Sequence, residues 1–299
     1  MKQLVITADD FGASPEVNEA VEAAHRRGVL TAASLMVGAP AAADAVARAR
    51  ALPELRVGLH LVLAEGRPLL PARAVTRLID AHGNFRSDMT ALGFQIALSA
   101  ETRRQLAAEI GAQFAAFHAT GLALDHCNAH KHFHLHPMIA AMLVDIGARF
   151  GLTAVRVPDE PLGVLRAVEP GIPWDPQPHT AICAALLRRR LRAAGCVSPD
   201  QVFGLAWSGR MNRTRLLGLI EHLPEGLSEI YLHPATGSYA GAAEGYGYRD
   251  EFEALTAPDV IAACRADDLQ LGGFRDFVNG QPMPAPLETA APAALANPS

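Results

Sequence analysis

Short apolar, β-branched runs alternate with helical patterns along most of this chain, and that alternation confines it to a few folds. Leu4–Thr7 reads Leu-Val-Ile-Thr, the pattern of a strand buried on both faces. Ser14 supplies an N-cap, Pro15 suits a first helical turn, and the helix they open runs to Arg27, where Gly28 stops it. Further strands are expected at Ala33–Val37, Arg56–Leu61, Ala123–His126, Ala154–Val157, Val202–Trp207 and Glu229–His233, with a last short one after Leu269–Gly272. Helices are expected over Ala41–Ala51, Ala100–Thr120, Met138–Phe150, Ile182–Ala194, Arg213–His222 and Pro258–Ala266. Glu65–Asp88 is broken by Gly, Pro and Asn and reads as a long excursion. About seven βα units, with no Gly-rich dinucleotide fingerprint after the first strand, favour a mostly parallel α/β barrel over a doubly wound sheet. One domain over residues 1–280 is expected, followed by a mobile Pro/Ala-rich tail at 281–299.

The polar residues gather where such a barrel does its chemistry. Asp9 and Asp10 follow the first strand, His60 ends the third, and His233 ends a later one. Between them lies His126-Cys-Asn-Ala-His-Lys-His-Phe-His-Leu-His136, which holds five of the chain's twelve histidines. Parallel strands bring their C-terminal ends to one rim, so these residues converge on a single site. Imidazole is the commonest ligand for divalent metals, and a catalytic metal needs about three protein ligands and an open position. In an extended segment His130, His132, His134 and His136 would share one face, and Asp9 and Asp10 would point opposite ways and take different roles. Each element alone has an ordinary reading: a strand-end Asp caps a helix or forms a turn, and an isolated His packs in a core.

Composition removes other classes. Net charge is −5, and the densest basic stretch, Arg188–Arg190 with Arg192, sits in an Ala/Leu-rich helical pattern, so nucleic acid is not an expected partner. The four cysteines lack paired spacing, which argues against a disulfide framework and a four-cysteine zinc site. No apolar run is long enough to span a bilayer and no signal peptide is evident, so a cytoplasmic protein is expected.

Thr7-Ala-Asp-Asp-Phe-Gly12, Val57-Gly-Leu-His-Leu61, Asn128-Ala-His-Lys-His-Phe-His134 and Leu232-His-Pro234 resemble, in order, the motifs of the YdjC-like carbohydrate deacetylases. The likeness runs from residue 3 to about 277, and the wording of the histidine tract is most similar to the branch associated with hopanoid biosynthesis. The resemblance implies a distorted, incomplete (β/α) TIM-like barrel and one divalent metal ion, Zn2+ or Mg2+, held by Asp10, His60 and His130. It places Asp9 at the general base and His233 near the general acid, with His132 and His134 lining the pocket or orienting ligands. Asn128 departs from an Asp common among relatives. Arg156 and Arg249 are candidates for contacts to sugar hydroxyls.

The implied substrate is an N-acetylated amino sugar, in this branch an N-acetylglucosamine carried on a hopanoid lipid; peripheral membrane contact and a homodimer are compatible with it. An apolar groove for the lipid could draw on Leu69, Leu70, Leu92, Phe94, Leu162 and Trp174. The competing readings are a soluble chitooligosaccharide deacetylase, another metal hydrolase such as a phosphoesterase, and a metal-binding protein without turnover.

Overall fold

The computed structural model describes residues 1–173 and 178–277; Trp174 and the expected tail lie outside the described residues. In chain order the elements are β1 (Lys2–Phe11), α1 (Pro15–Arg27), β2 (Ala32–Leu35), α2 (Ala42–Arg50), β3 (Arg56–Leu61), α3 (Met89–Leu98) and α4 (Ala100–Ala119). There follow β4 (Cys127–Ala129), α5 (Pro137–Gly147), α6 (Leu162–Val168), α7 (Pro178–Ala193), β5 (Gln201–Phe203), α8 (Arg213–Glu221), β6 (Gly226–Leu232), α9 (Tyr248–Leu255), α10 (Pro258–Ala263), β7 (Leu269–Leu271) and α11 (Phe274–Phe277).

The strands form one parallel sheet in the order β4-β3-β2-β1-β6-β5, and β7 joins the first half of β1 at Lys2–Leu4. The sheet curls into an incomplete barrel. Residues 154–159 partly fill the gap between β4 and β5: Arg156 N donates to Cys127 O (3.1 Å), Val155 N to Val197 O (3.0 Å) and Val202 N to Asp159 O (3.0 Å). The expected Ala154–Val157 strand is therefore present only as isolated parallel bridges at Ala154 and Val155. The fourth strand begins at Cys127, not Ala123, and α3 and α9 form where no helix is expected from periodicity.

Alternation along the strands separates two environments. Leu4, Ile6 and Ala8 of β1 face outward into the main core under the helices, with Val17, Val21 and Ala24 of α1. Burying such side chains contributes about 1.5–3 kcal/mol each for the larger ones. The alternate residues face the barrel interior. Its floor is apolar, made by Val5, Ala32, Ala154 and Leu227, and α11 plugs it with Phe274 and Phe277. Above the floor the interior turns polar, with Thr7, Ser34, His126, Arg156 and Glu229 all buried. This polar layer supports the rim.

Candidate metal centre and its cleft

A bulge at the end of β1 shapes the rim. Thr7 and Ala8 pair with Ala32 and Ala33, but Phe11 pairs with Leu35, so Asp9 and Asp10 together face the single residue Ser34. Asp10 takes a left-handed backbone, φ +61°. The expected opposite orientation of the two aspartates is thereby lost, because a bulge breaks the two-residue period and turns both carboxylates toward the site. The turn beyond is pinned: Gly12 N donates to Asn18 Oδ1 (2.8 Å), and Asn18 Nδ2 donates to Ala41 O (3.0 Å).

The histidine tract is likewise not extended. His130–Leu135 is a short 3-10 segment interrupted by left-handed Lys131 (φ +53°) and His132 (φ +55°). The four histidines consequently part company. His130 faces Asp10, His132 Nε2 lies 2.9 Å from the Tyr231 hydroxyl, His134 Nε2 donates to the Arg156 carbonyl (2.9 Å), and His136 caps α5 by accepting from Met138 N. Among the described residues, Asp10, Glu65, Lys131 and His132 are the non-glycines with positive φ, and all four border the site. Strain of this kind costs about 1–3 kcal/mol per residue and collects where geometry serves function. Glu65 and Lys131 also pair with each other across the rim.

Asp10, His60 and His130 present ligand atoms within 4.8 Å of one another. Asp10 Oδ1 lies 3.2 Å from His60 Nε2 and 3.3 Å from His130 Nδ1, and those two nitrogens are 3.5 Å apart. Asp10 Oδ1 is buried yet makes no hydrogen bond of good geometry, so a cation between the three would satisfy it. The donor set suits zinc, while Mg2+ ordinarily prefers more oxygens. Charge argues the same way. Arg156 is fully buried, with NH1 2.5 Å from Asp9 Oδ2 and NH2 2.7 Å from Glu229 Oε1. Asp9, Asp10 and Glu229 share one guanidinium, so buried acidic groups are in surplus there and a cation beside Asp10 would offset them.

Burial raises the Asp9 carboxyl, but Arg156, aided by His60, outweighs it and holds it far below the usual range. Burial acts likewise on Asp10 and is outweighed by the His130 and His60 imidazoles that face its carboxylate, holding it well below the usual range. For His130, burial opposes the charged form, and Asp10 more than reverses this. Burial lowers His233 and His132, and lowers His134 to about 4. Asn128 joins the two acids' surroundings: its Oδ1 accepts from His60 Nδ1 (2.7 Å) and its Nδ2 donates to Asp9 Oδ1 (2.9 Å). With Nδ1 bound, His60 keeps Nε2 free for a metal. Arg156 does not reach the cleft, and Arg249 pairs with Glu253 on the exposed side of α9, so neither meets the expectation of a sugar contact.

A cleft of about 420 Å3 opens over Asp10 and His130. Met36, Pro40, Val62 and Leu69 make one wall, Glu65 and Arg67 the mouth, and Tyr239–Gly241 the facing side. Of the described residues expected to form an apolar groove, only Leu69 lines it; Leu92 is in the core, and Phe94 is 67% exposed on α3. Three residues of α4 hold the long excursion in place: Gln113 accepts from Val62 N, Glu109 from Leu69 N and Leu70 N, and Gln105 from Arg77 N, at 2.8–3.0 Å. Opposite, all four tyrosines of the chain link ring to ring with His233, from Tyr231 through His233 and Tyr246 to Tyr248 and Tyr239, at centroid distances of 5.2–5.7 Å. His233 Nδ1 is buried without a hydrogen-bond partner among the described residues. A larger hollow of about 560 Å3, lined by Arg50, Arg56 and Asp125, lies at the opposite end of the barrel and holds no such ligand cluster among the described residues.

Glu229, Ser34 and Tyr231 were not anticipated as site residues. The signal was the two-residue period itself: Glu229 and Tyr231 alternate on β6, with His233 continuing the series just past its end, as Ser34 does beside Ala32 on β2.

The chain is similar to proteins of known kind across most of its length. It is 30% identical over 280 residues to a carbohydrate deacetylase of Geobacillus stearothermophilus, covering 91% of this chain and 97% of the relative. It is 31% identical over 310 residues to a human carbohydrate deacetylase, covering 94% and 92% respectively. The fold matches a crystal structure from Enterococcus faecalis, whose proposed activity is cellobiose-phosphate cleavage, with a TM-score of 0.70 at 23% identity over 92% of this chain and 98% of that one. Residues 3–266 match the YdjC-like protein family, and the chain belongs to it.

Proposed function

We propose that this protein is a metal-dependent deacetylase that removes the N-acetyl group from an amino sugar. One observation carries the reading: Asp10 Oδ1, His60 Nε2 and His130 Nδ1 converge at the floor of a cleft, with Asp10 Oδ1 buried and lacking a hydrogen-bond partner among the described residues. The full-length likeness to carbohydrate deacetylases supports the reaction class. A divalent metal at these three ligands would polarise the acetyl carbonyl and acidify an attacking water.

The chain's own residues supply the rest. Asp9 accepts the water's proton; its oxygens already take three hydrogen bonds from Arg156 and Asn128, so it acts only on a water that is itself unusually acidic. His233 hands a proton to the departing nitrogen. Burial disfavours the charged form of His233, so the proton it passes on is the one Asp9 takes from the water, relayed within the cycle. His132 and His134 brace Tyr231 and Arg156. Acetate and a free amino sugar leave.

For the acceptor, the reading is N-acetylglucosamine linked to a hopanoid. The apolar wall of Met36, Pro40, Val62 and Leu69 supports an apolar group beside the sugar. Exposed Phe94 and Leu98 on α3 are compatible with peripheral contact to a lipid surface, and no helix among the described residues is long and apolar enough to cross a membrane. The test is acetate release by metal-loaded protein offered N-acetylglucosaminyl bacteriohopanetetrol and diacetylchitobiose side by side. Release from the lipid alone is expected; release from diacetylchitobiose alone would keep the chemistry and overturn the acceptor.

A further inference from the structure

Beneath the rim a single file of buried polar groups runs from the barrel floor to His60. Asp125 accepts from the backbone N–H groups of Phe274 (3.2 Å) and Arg275 (3.0 Å) at the start of α11. It also faces His126 Nδ1 at 2.9 Å. His126 Nε2 lies 2.9 Å from Ser34 Oγ, and Asn128 Nδ2 donates to Ser34 Oγ at 3.0 Å. Asn128 Oδ1 then meets His60 Nδ1 at 2.7 Å. Ser34, His126, Asn128 and Asp125 are each at most 1% exposed, so water does not compete for these bonds.

With a neutral His126 imidazole, the direction of every bond is fixed. A carboxylate only accepts, so Asp125 requires hydrogen on His126 Nδ1 and leaves Nε2 as an acceptor. Ser34 must therefore donate to His126, and its oxygen must accept from Asn128. Asn128 cannot turn over, because Asp9, a second acceptor-only carboxylate, takes its other N–H at 2.9 Å. Its carbonyl oxygen is left for His60, which must carry hydrogen on Nδ1 and expose the Nε2 lone pair. Clamped by a carboxylate at each end, the chain permits one polarity.

We propose that Asp125, His126 and Ser34 are positioning residues that, together with Asp9, hold the Asn128 amide in place and so set the ring plane and tautomer of His60 for metal binding. The inference deepens the metal reading of Asp10, His60 and His130 and rests on it for its affinity arm. It gives a role to His126, which is buried beneath the rim. It also accounts for Gly58, two residues before His60: a Cβ there would lie 2.5 Å from the His126 ring. The Phe274 ring covers the other side of that imidazole at 4.7 Å, so α11, beyond the family-matched residues, seals the chain from below.

The test combines histidine 15N NMR with Zn2+ titration on the full-length protein. In the metal-free wild type, His126 and His60 should both appear as Nδ1–H tautomers; an Nε2–H tautomer at either would overturn the proposal. This spectrum decides even if variants fold poorly. In Ser34→Ala and Asp125→Asn, Zn2+ affinity should fall about tenfold or more, within the range known for outer-shell partners, and a second His60 signal should appear. Affinity within twofold of wild type, with His60 unchanged in a folded variant, would overturn it. A wild type that shows the expected tautomers but binds no Zn2+ would instead sink the metal reading while leaving the orienting chain in place.

Discussion

The two sides of the cleft are built differently. On the metal side, Asp9, Asp10, His60 and Asn128 sit at strand ends and are locked by other buried polar groups, down to Arg156 and Glu229. On the wall side, the excursion after β3 and the loop after β6 contribute apolar and aromatic surface, and their backbones are held by α4 and by a chain of tyrosine rings. Few side chains on the metal side can change without stranding a buried charge, whereas the wall can change shape at modest cost. Under the proposed function, one side would fix what reaction is available, and the other which molecule is admitted.

The largest effects should come from the metal side. Asp10→Ala should abolish both bound metal and acetate release, exceeding the roughly 10–100-fold cost of losing a supporting residue; metal analysis beside the assay checks it, and retained metal would break the contrast. Asp9→Asn should keep the metal and lower turnover by roughly 10²–10⁴-fold, the scale of a lost general base. Arg156→Met strands Asp9 and Glu229 and should destabilise the fold by about 3–5 kcal/mol in denaturant titration. Arg156→Lys should not restore it, because an ammonium cannot pair with two carboxylates as the planar guanidinium does.

The wall should respond more gently. Leu69→Ala or Tyr239→Ala should raise KM several-fold with kcat little changed, the loss of about 1–2 kcal/mol of contact that is equal in ground and transition states. A fall in kcat with unchanged KM would show that the wall takes part in the chemistry. The smallest effect concerns two glutamates outside the metal side. Burial pushes Glu160 and Glu251 up to about 7, despite the backbone N–H groups that each accepts. The folded state therefore holds protons that the unfolded chain releases near 4.5. Their contribution is complete below that pH and is lost as pH rises through 7, so stability should decline from pH 5 to 8 and decline less in Glu251→Gln.

The barrel and the convergence of acidic and histidine side chains at one rim were legible because both rest on local patterns, while the choice of Asp10, His60 and His130 as candidate ligands came from the family resemblance. Apolar runs mark strands, and Asp10, His60 and His130 fall at strand ends that parallel topology must bring together. What was hidden depends on backbone departures. The bulge at Asp9–Asp10 and the left-handed Lys131 and His132 leave no trace in periodicity, so the aspartates' orientation and the extended histidine row came out differently. Arg156 offered no sign of being buried, because its two carboxylate partners lie 147 and 73 residues away in sequence. The wall was obscured for another reason: α3 is apolar on both faces, and its Phe94 and Leu98 stay exposed while Leu92 and Ile96 enter the core.

The most direct test of the metal centre is an anomalous difference map from crystals of the active, Zn2+-loaded protein. The account predicts one strong peak bonded to Asp10 Oδ1, His60 Nε2 and His130 Nδ1, with an open position facing the cleft between Leu69 and Tyr239. Crystals of protein that releases acetate but shows no peak there, or shows its metal at another set of residues, would contradict it.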